Sequence, residues 1–330
     1  MFNDKLSITS DFFIKRTNDL LFVPEVSALL GSYGAGSSPP VVNAGNIRNT
    51  GFEFAINYET EIVNDLKFNI GYNLTTIRNE VTEMANGVNF IEGGAFGVGG
   101  GTAARMQVGQ PLGAFYGFKV EGVYQSAQEI AERGVTQSGA QPGDLRFADI
   151  DGDGNINFSN DSDKTFIGSP IPDMTMGLNL SLSYKGFDLS TLLYASIGNE
   201  IVRNYERQQP LANQLDYVIN RWTGEGSTNE FPRLTTGSNR NGVFSEFYVE
   251  DGSYLRIRNL QLGYTIPTSV ANKIGAKKLR TYVAVNNLMT LTGYRGFDPD
   301  VSSGSPIGAG IDYGFYPQAR LFMAGLNLNF

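Results

Sequence analysis

The sequence predicts an all-β fold, the wall of a transmembrane antiparallel β-barrel with long loops at one edge. Composition is the first indication, because 40 of the 330 residues are Gly and aromatic residues make up 12% of the chain, while charged residues make up 18%. Gly averages about 7% in proteins, so many turns are expected. The second indication is alternation of apolar and polar residues over long stretches, and the third is a regular exchange of short and long connections.

Period-two alternation marks the strands, since successive side chains of a strand point to opposite faces of a sheet. In the clearest case, 65–77, every second side chain from Leu66 to Leu74 is apolar. Many segments reach the ~9–11 residues that a tilted strand needs to span a bilayer, whereas soluble sandwich strands usually have ~5–6. The pattern predicts eight to ten strands, at residues 6–15, 52–59, 65–77, 114–124, 174–185, 187–196, 254–266, 279–288 and 321–330.

One predicted strand breaks the alternation. Arg256 and Arg258 share parity with the leucines that follow them in the strand. Two arginines on a lipid-facing row are costly. Two explanations are open: a β-bulge near Asn259 resets the register, or the first half of the strand lies beyond the membrane or near its interface.

The connections between strands fall into two classes. Outer-membrane barrels alternate short periplasmic turns with long extracellular loops, so this asymmetry favours a membrane barrel over a compact soluble domain. Helical spacing predicts a short helix at 210–222 within one long link. Short or moderate links are expected at 64–65, 185–186 and 267–278, and long ones rich in Gly, Ser, Asn and Pro at 16–46, 80–111, 125–165, 199–244 and 292–317.

Aromatic residues near the strand ends are expected to form girdles at the two membrane interfaces. The last strand is amphipathic and closes on Phe330, which resembles the insertion signal of outer-membrane proteins. The aromatic residues concerned are Tyr58, Tyr72, Tyr184, Phe187, Tyr264 and Tyr282.

Several classes of protein are excluded. No run of about 18 apolar residues is present, so a transmembrane helix is not expected, and residues 1–13 lack the apolar core of a signal peptide and read as strand. A net charge of -8 leaves no basic stripe for nucleic acid. With no Cys and no His, the chain has no disulfide, thiolate nucleophile, Ser-His dyad or imidazole metal site, so no enzyme is expected.

An acidic motif in the large link at 125–165 is the one candidate site. Oxygen ligands stand at alternate positions of an EF-hand-like loop, with Gly154 at the sharp turn, and hard oxygen ligands suit calcium. The twelfth position, where a bidentate Glu is expected, holds Asn160, so a shifted carboxylate at Asp161 is predicted to complete the site. An Asx-rich turn that satisfies its own backbone remains the alternative. The predicted ligands are Asp149, Asp151, Asp153, Asn155, Asn157 and Asp161.

Six short motifs occur in order along the chain. They are N-T-G-F-E at 49–53, G-Q-P-L-G-A-F-Y-G at 109–117, P-G-D-L-R-F-A-D-I-D-G-D-G at 142–154, I-G-S-P-I-P-D at 167–173, V-E-D-G-S-Y-L-R at 249–256, and N-N-L-M-T-L-T-G-Y at 286–294 with D-P at 298–299. Each is weak alone. Together they resemble the SusC/RagA family of TonB-dependent outer-membrane transporters across essentially the whole chain.

The resemblance implies the C-terminal part of a barrel of about 22 strands, set in outer-membrane lipid of a Gram-negative, Bacteroidota-like cell. It also implies a SusD-like surface lipoprotein as partner, oligosaccharide or peptide as cargo, and energy from the TonB complex through a missing N-terminal region. No plug domain is recognised in 1–330, so a partial barrel without transport competence of its own is expected. The alternative is a soluble exported β-sandwich or adhesin-like carbohydrate-binding module with a calcium-stiffened loop.

Overall fold

The computed structural model describes residues 5–22, 41–63, 65–97, 101–206, 213, 215–237, 239–301 and 304–330. Within these ranges the chain is mainly β-strand. In chain order the elements are β1 (Leu6–Phe22), β2 (Val42–Val63), β3 (Leu66–Met84), β4 (Phe90–Phe96), β5 (Gly101–Gln107), β6 (Phe115–Phe118), β7 (Val120–Val123), α1 (Ala127–Glu132), β8 (Leu145–Phe147), β9 (Lys164–Gly168), β10 (Met174–Tyr184), β11 (Phe187–Ile197), β12 (Glu200–Arg203), β13 (Val249–Asp251), β14 (Tyr254–Ile266), α2 (Thr268–Ala271), β15 (Lys278–Thr292), β16 (Ile311–Asp312) and β17 (Leu321–Asn329). Single 3-10 turns lie at Asp216–Asn220, Glu246–Tyr248 and Asn272–Ile274. No helix in the described ranges is long and apolar enough to cross a membrane.

Eight long strands form one antiparallel sheet, which we call the wall, in the order β1-β2-β3-β10-β11-β14-β15-β17. Eight of the predicted strand segments lie in this sheet. The strand predicted at 114–124 is confirmed as β-structure, but it is divided into β6 and β7, which belong to two small sheets outside the wall. Phe115, Phe118 and Val123 are all buried there, so both faces of this segment pack against protein.

The register of the wall gives it two chemically distinct faces. Residues directly opposite one another in a sheet share a face. One face is apolar and largely uncovered, with Phe322 68% exposed, and the described residues place no second sheet against it as a β-sandwich requires. One row of this apolar face is Tyr58, Ile70, Leu180, Thr191, Leu260, Val285 and Phe322. The neighbouring row of the polar face is Glu59, Asn69, Ser181, Ser190, Gln261 and Ala284.

A β-bulge at Arg258 resolves the conflict in β14. Ile257 pairs with Leu193 of β11 and Asn259 pairs with Leu192, so Arg258 is the extra residue and the alternation is reset after it. The bulge puts Arg256 on the polar face, 2% exposed, where it donates to the hydroxyl of Thr290 at 2.9 Å. The first of the two explanations offered by the sequence is therefore confirmed.

Aromatic side chains form part of the expected girdle at the short-turn edge. Tyr184, Phe187 and Tyr264 lie side by side on the apolar face, and the rings of the last two are 4.4 Å apart between centroids. Tyr282 does not belong to this row. It is opposite Gly263 and Gly325 on the polar face, and the missing side chain of Gly325 leaves room for its ring.

Short turns join wall strands at one edge only. Lys185 and Gly186 connect β10 to β11 with φ values of 46° and 88°, the left-handed pair of a type I′ turn. The link between β2 and β3 is equally short, although Asn64 lies outside the described residues. The short-turn predictions at this edge are confirmed.

The opposite edge carries the long connections, which we call the cap: the described residues of 85–173, 198–253 and 293–320. The long connections predicted at this edge are present, and the structure adds that they contain three small sheets and α1. The link predicted at 16–46 is shorter, since β1 and β2 extend into it, and 23–40 lie outside the described residues. Of the helix predicted at 210–222, only a 3-10 turn over Asp216–Asn220 is described, and 210–212 and 214 lie outside.

The buried apolar core of the described chain is mainly in the cap. One cluster draws Phe96 and Phe115 from the first cap segment, Phe244 from the second and Ile307 from the third, and it also takes in Val81 at the cap end of β3. A second cluster packs around β7 and β8. The three cap segments thus share a core and are expected to fold together, whereas the wall relies on strand pairing and on whatever covers its apolar face.

Candidate functional site

The acidic loop, residues 149–163, connects β8 to β9 within the cap. Its middle is fixed by two backbone hydrogen bonds, because Thr136 N–H donates to the carbonyl of Gly154 at 2.8 Å and Ile156 N–H donates back to Thr136 at 2.8 Å. The side chain of Ile156 is buried in the second apolar cluster. The loop is therefore held in one conformation by the protein around it.

Three of the predicted ligands converge. Asp149, Asp151 and Asp153 each offer a carboxylate oxygen, and these oxygens all lie within 4.8 Å of one another. The carboxylate of Asp149 accepts the N–H of Gly152 at 2.8 Å and that of Gly154 at 2.9 Å, so the loop closes around it. Gly154 has φ +81°, which a residue with a side chain rarely adopts. This arrangement fits a hard divalent cation with oxygen ligands.

The two asparagines of the motif make local contacts. The N–H of Asn155 donates to the carboxylate of Asp153 at 2.7 Å, and the side-chain oxygen of Asn157 accepts the N–H of Ser159 at 2.9 Å. Both are hydrogen bonds of Asx turns. The asparagines shape the loop, and the structure gives the side chain of Asn157 a backbone partner of its own.

Asp161 is not brought to the three carboxylates. It forms ion pairs with Arg105 on β5 and, at 2.9 Å, with Lys164. Partial burial alone raises the pKa of Asp161, but hydrogen bonds from Arg105 and Lys164 outweigh burial and lower it below its ordinary value. Its charge is balanced by these two cations, and the sequence prediction that Asp161 completes the site is not supported by where it lies.

Asp163 has a role that the sequence did not reveal. It is fully buried, and its carboxylate accepts the N–H of Ile150 at 3.1 Å and the N–H of Asn157 at 2.7 Å. Both donors belong to the acidic loop, so Asp163 ties the two halves of the loop together. Spacing alone could not distinguish Asp163 from Asp161, because both stand just beyond the twelfth position.

Arg105 anchors the acidic loop to the small sheet of β4, β5, β6 and β9. Its guanidinium lies between the rings of Phe90 and Tyr116, at 3.8 and 3.7 Å from their centroids. Glu92 on β4 and Asp161 at the end of the loop both pair with it. A guanidinium stacked between two rings keeps its charge while losing water, which suits this buried position.

A cavity of about 470 Å³ lies where the wall meets the cap. Asn79 and Gln110 contribute amides to its lining, and Asp173 and Glu200 contribute carboxylates. Burial raises the pKa of Glu200, and the N–H of Ser169, which donates to it at 2.6 Å, partly offsets this. The lining is mixed in character, since Ile77, Pro111, Ala114 and Ile171 contribute apolar surface to it.

Comparison with family models gives no match. Among curated proteins, the chain is 35% identical over 344 residues to TonB-dependent receptor P3 of Formosa agariphila, covering 100% of this chain and 33% of that receptor. It is 27% identical over 345 residues to TonB-dependent receptor SusC of Bacteroides thetaiotaomicron, covering 99% of this chain and 30% of SusC.

A solved structure has the same fold. The structure of the RagAB peptide transporter matches with a TM-score of 0.74 and 25% identity, over 99% of this chain and 34% of that one. The chain spans about a third of the length of the relatives it matches. The wall with one apolar and one polar face is the arrangement of a membrane β-barrel. The resemblance to the SusC/RagA family of TonB-dependent outer-membrane receptors is therefore confirmed over the whole of this chain.

Proposed function

We propose that this chain forms part of the wall and cap of an outer-membrane importer of oligosaccharides or peptides. The observation that supports this most strongly is the two-faced wall, whose apolar rows suit lipid and whose amide and hydroxyl rows suit a wet lumen. Because the long loops of such barrels are extracellular, the cap is the part that meets the nutrient first.

Import is proposed for a full-length receptor. The wall has eight strands against the about 22 that the resemblance implies. We therefore propose that this chain is not transport-competent alone and that TonB acts through a region outside it. A SusD-like surface lipoprotein is the proposed partner, because the resemblance to the SusC/RagA family implies one.

An uptake assay tests this function. Cells that lack the full-length receptor are compared with cells that regain it, using labelled oligosaccharides and labelled peptides in parallel. We expect one nutrient class to enter only when the receptor is present, and we expect a protonophore to stop this uptake because TonB draws on the proton gradient. Equal uptake of both classes with and without the receptor contradicts the proposal.

We also propose that the acidic loop binds calcium. The convergence of Asp149, Asp151 and Asp153 supports this, and the lack of a bidentate twelfth ligand predicts weak binding, in the range of about 10⁻⁴–10⁻³ M typical of extracellular modules. Terbium luminescence on the full-length receptor measures it. The double variant D151N/D153N is expected to abolish the signal.

A matched control variant separates the ligands from their neighbours. Asp161→Asn removes a carboxylate from the same loop, but Asp161 already pairs with Arg105 and Lys164. We therefore expect Asp161→Asn to bind terbium with an affinity within about twofold of the unmodified protein. Unchanged binding in D151N/D153N contradicts calcium binding at this loop and leaves the Asx-rich turn as its explanation.

A further inference from the structure

Three largely buried charged side chains and one exposed arginine form a cluster between two segments of the cap. Arg203 on β12, Glu206 just beyond it and Glu250 on β13 belong to the 198–253 segment, while Arg295 belongs to the 293–320 segment. The side chain of Arg203 has no exposed surface. We call these four residues the charge latch, because Glu250 pairs with Arg203 in its own segment and with Arg295 in the other.

Glu250 is fully satisfied in the latch. One of its oxygens pairs with Arg203 at 2.5 Å and with the guanidinium of Arg295 at 2.8 and 3.0 Å, and the other accepts the backbone N–H of Arg295 at 3.1 Å. Burial alone raises the pKa of Glu250, but the hydrogen bonds from Arg295 and the charge of Arg203 outweigh it and lower the pKa. Glu250 is therefore held in its charged form.

Glu206 is poorly satisfied. One oxygen lies 3.4 Å from Nε of Arg203, and the other is buried with no hydrogen-bond partner among the described residues. The side chain is only 12% exposed. Burial raises the pKa of Glu206, and although Arg203 opposes this, the nearby charge of Glu250 adds to it. When a buried carboxylate has one oxygen without a hydrogen-bond donor, burial destabilises its ionised form more than its protonated form.

The groups around Glu206 include two arginines that stack on an aromatic ring and two tyrosine hydroxyls. The guanidinium of Arg203 lies over the ring of Tyr217 at 4.9 Å, and Arg295 lies over the same ring at 5.1 Å. The hydroxyls of Tyr205 and Tyr217 are buried without a partner among the described residues. The charged and titratable groups around Glu206 are Arg203, Tyr205, Glu250, Arg295 and, beyond Tyr205, Asp312, which accepts the hydroxyl of Tyr294.

We propose that the charge latch is a pH-sensitive joint between the 198–253 and 293–320 segments, closed when Glu206 is protonated and loosened when Glu206 is charged. The sign follows from linkage. A carboxyl with a raised folded-state pKa contributes stability that is present below its ordinary pKa and is lost as the pH rises through the raised value. Glu250 has the opposite dependence and keeps the joint from opening completely at neutral pH.

Hydrogen exchange of the full-length receptor in detergent tests this joint. Protection factors of peptides covering 198–206 and 293–300, corrected for the intrinsic pH dependence of exchange, are compared at about pH 5 and about pH 8. We expect protection to fall at the higher pH, by less than about tenfold for each unit by which burial raises the pKa of Glu206, because pH 5 already lies above the ordinary pKa of Glu. Peptides from β10 in the wall are expected to be unchanged.

Two variants separate the latch from general stability. Glu206→Gln mimics the protonated form, so we expect it to keep the protection measured at low pH throughout the range. Glu250→Gln removes the satisfied partner of both arginines and is expected to lower protection at both pH values. Constant protection in the unmodified receptor between the two pH values overturns the proposal, and so does a Glu206→Gln receptor with the original pH dependence.

Discussion

Replacing Leu260 by Arg is expected to destabilise the folded receptor by about 2–4 kcal/mol, the cost of Arg at the midplane of a barrel's lipid face. Leu260 lies on the apolar face, four residues along β14 from Tyr264 in the aromatic row. At ~3.4 Å per residue and a strand tilt of ~40°, this is about 10 Å above the ring row. The apolar band is ~25 Å tall, so Leu260 lies close to its centre.

The assay is a urea titration of the full-length receptor in lipid vesicles, with the folded fraction read from the heat-resistant band on a gel. Gln261→Arg is the matched control, because Gln261 is the next residue of β14 and lies on the polar face opposite Ser190 and Ala284. We expect this control to change the free energy of unfolding by about 0.5 kcal/mol or less. Equal costs for Leu260→Arg and Gln261→Arg refute the assignment of the apolar face to lipid.

Three further outcomes are expected. Phe115→Ala in the cap core is expected to cost about 3–5 kcal/mol in urea unfolding of the cap, because the ring is fully buried. The pKa of Asp161 is lowered, so the stability that its ion pair with Arg105 contributes is present above the ordinary pKa and is lost as the pH falls through the lowered value. In the Asp161→Asn variant, the melting temperature of the cap is therefore expected to change less with pH below about pH 4. Gly186→Val is expected to slow refolding and to lower the free energy of unfolding by about 1–2 kcal/mol, since a β-branched residue is strained at φ +88°. Lys185→Asn is the control: Asn suits the type I′ turn, so this variant is expected to be neutral or stabilising by a few tenths of a kcal/mol.

The wall could be predicted from sequence because its pattern is local. Period-two alternation is a property of each strand alone, and in 174–185 it gives both the strand and its faces without knowledge of any neighbour. The bulge in β14 could also be predicted from sequence, because two arginines on an otherwise apolar row indicate a change of register. Register between strands then follows from keeping the apolar residues on one face.

The cap could not be predicted in the same way, because its pairings join residues far apart in the chain. The parallel pairing of Val202 with Ile311 and the contact of Phe118 with Ser245 leave no periodic trace in the sequence. Segment 114–124 was predicted as one strand, and nothing in its sequence shows that it belongs to the cap and not to the wall. Its burial on both faces is a tertiary property that composition does not carry.

The acidic loop was predicted in part. The spacing of Asp149, Asp151 and Asp153 around two glycines brings three carboxylates together, and local backbone geometry is enough to explain this. The positions and partners of Asp161 and Asp163 depend on an ion pair with Arg105 and on burial within the folded cap. The sequence therefore identified the loop but could not assign the carboxylates that lie beyond its turn.

Site-specific labelling in intact cells tests the central claim, that the wall spans the outer membrane with the cap outside. This chain has no Cys, so in a receptor otherwise free of cysteines Gln128→Cys in the cap and Lys185→Cys in the opposite turn each give one thiol. With a maleimide that does not cross the outer membrane, we expect Cys at position 128 to react in intact cells and Cys at position 185 to react only after permeabilisation. Equal labelling of both positions in intact cells, or labelling of position 185 alone, contradicts the membrane orientation proposed for this chain.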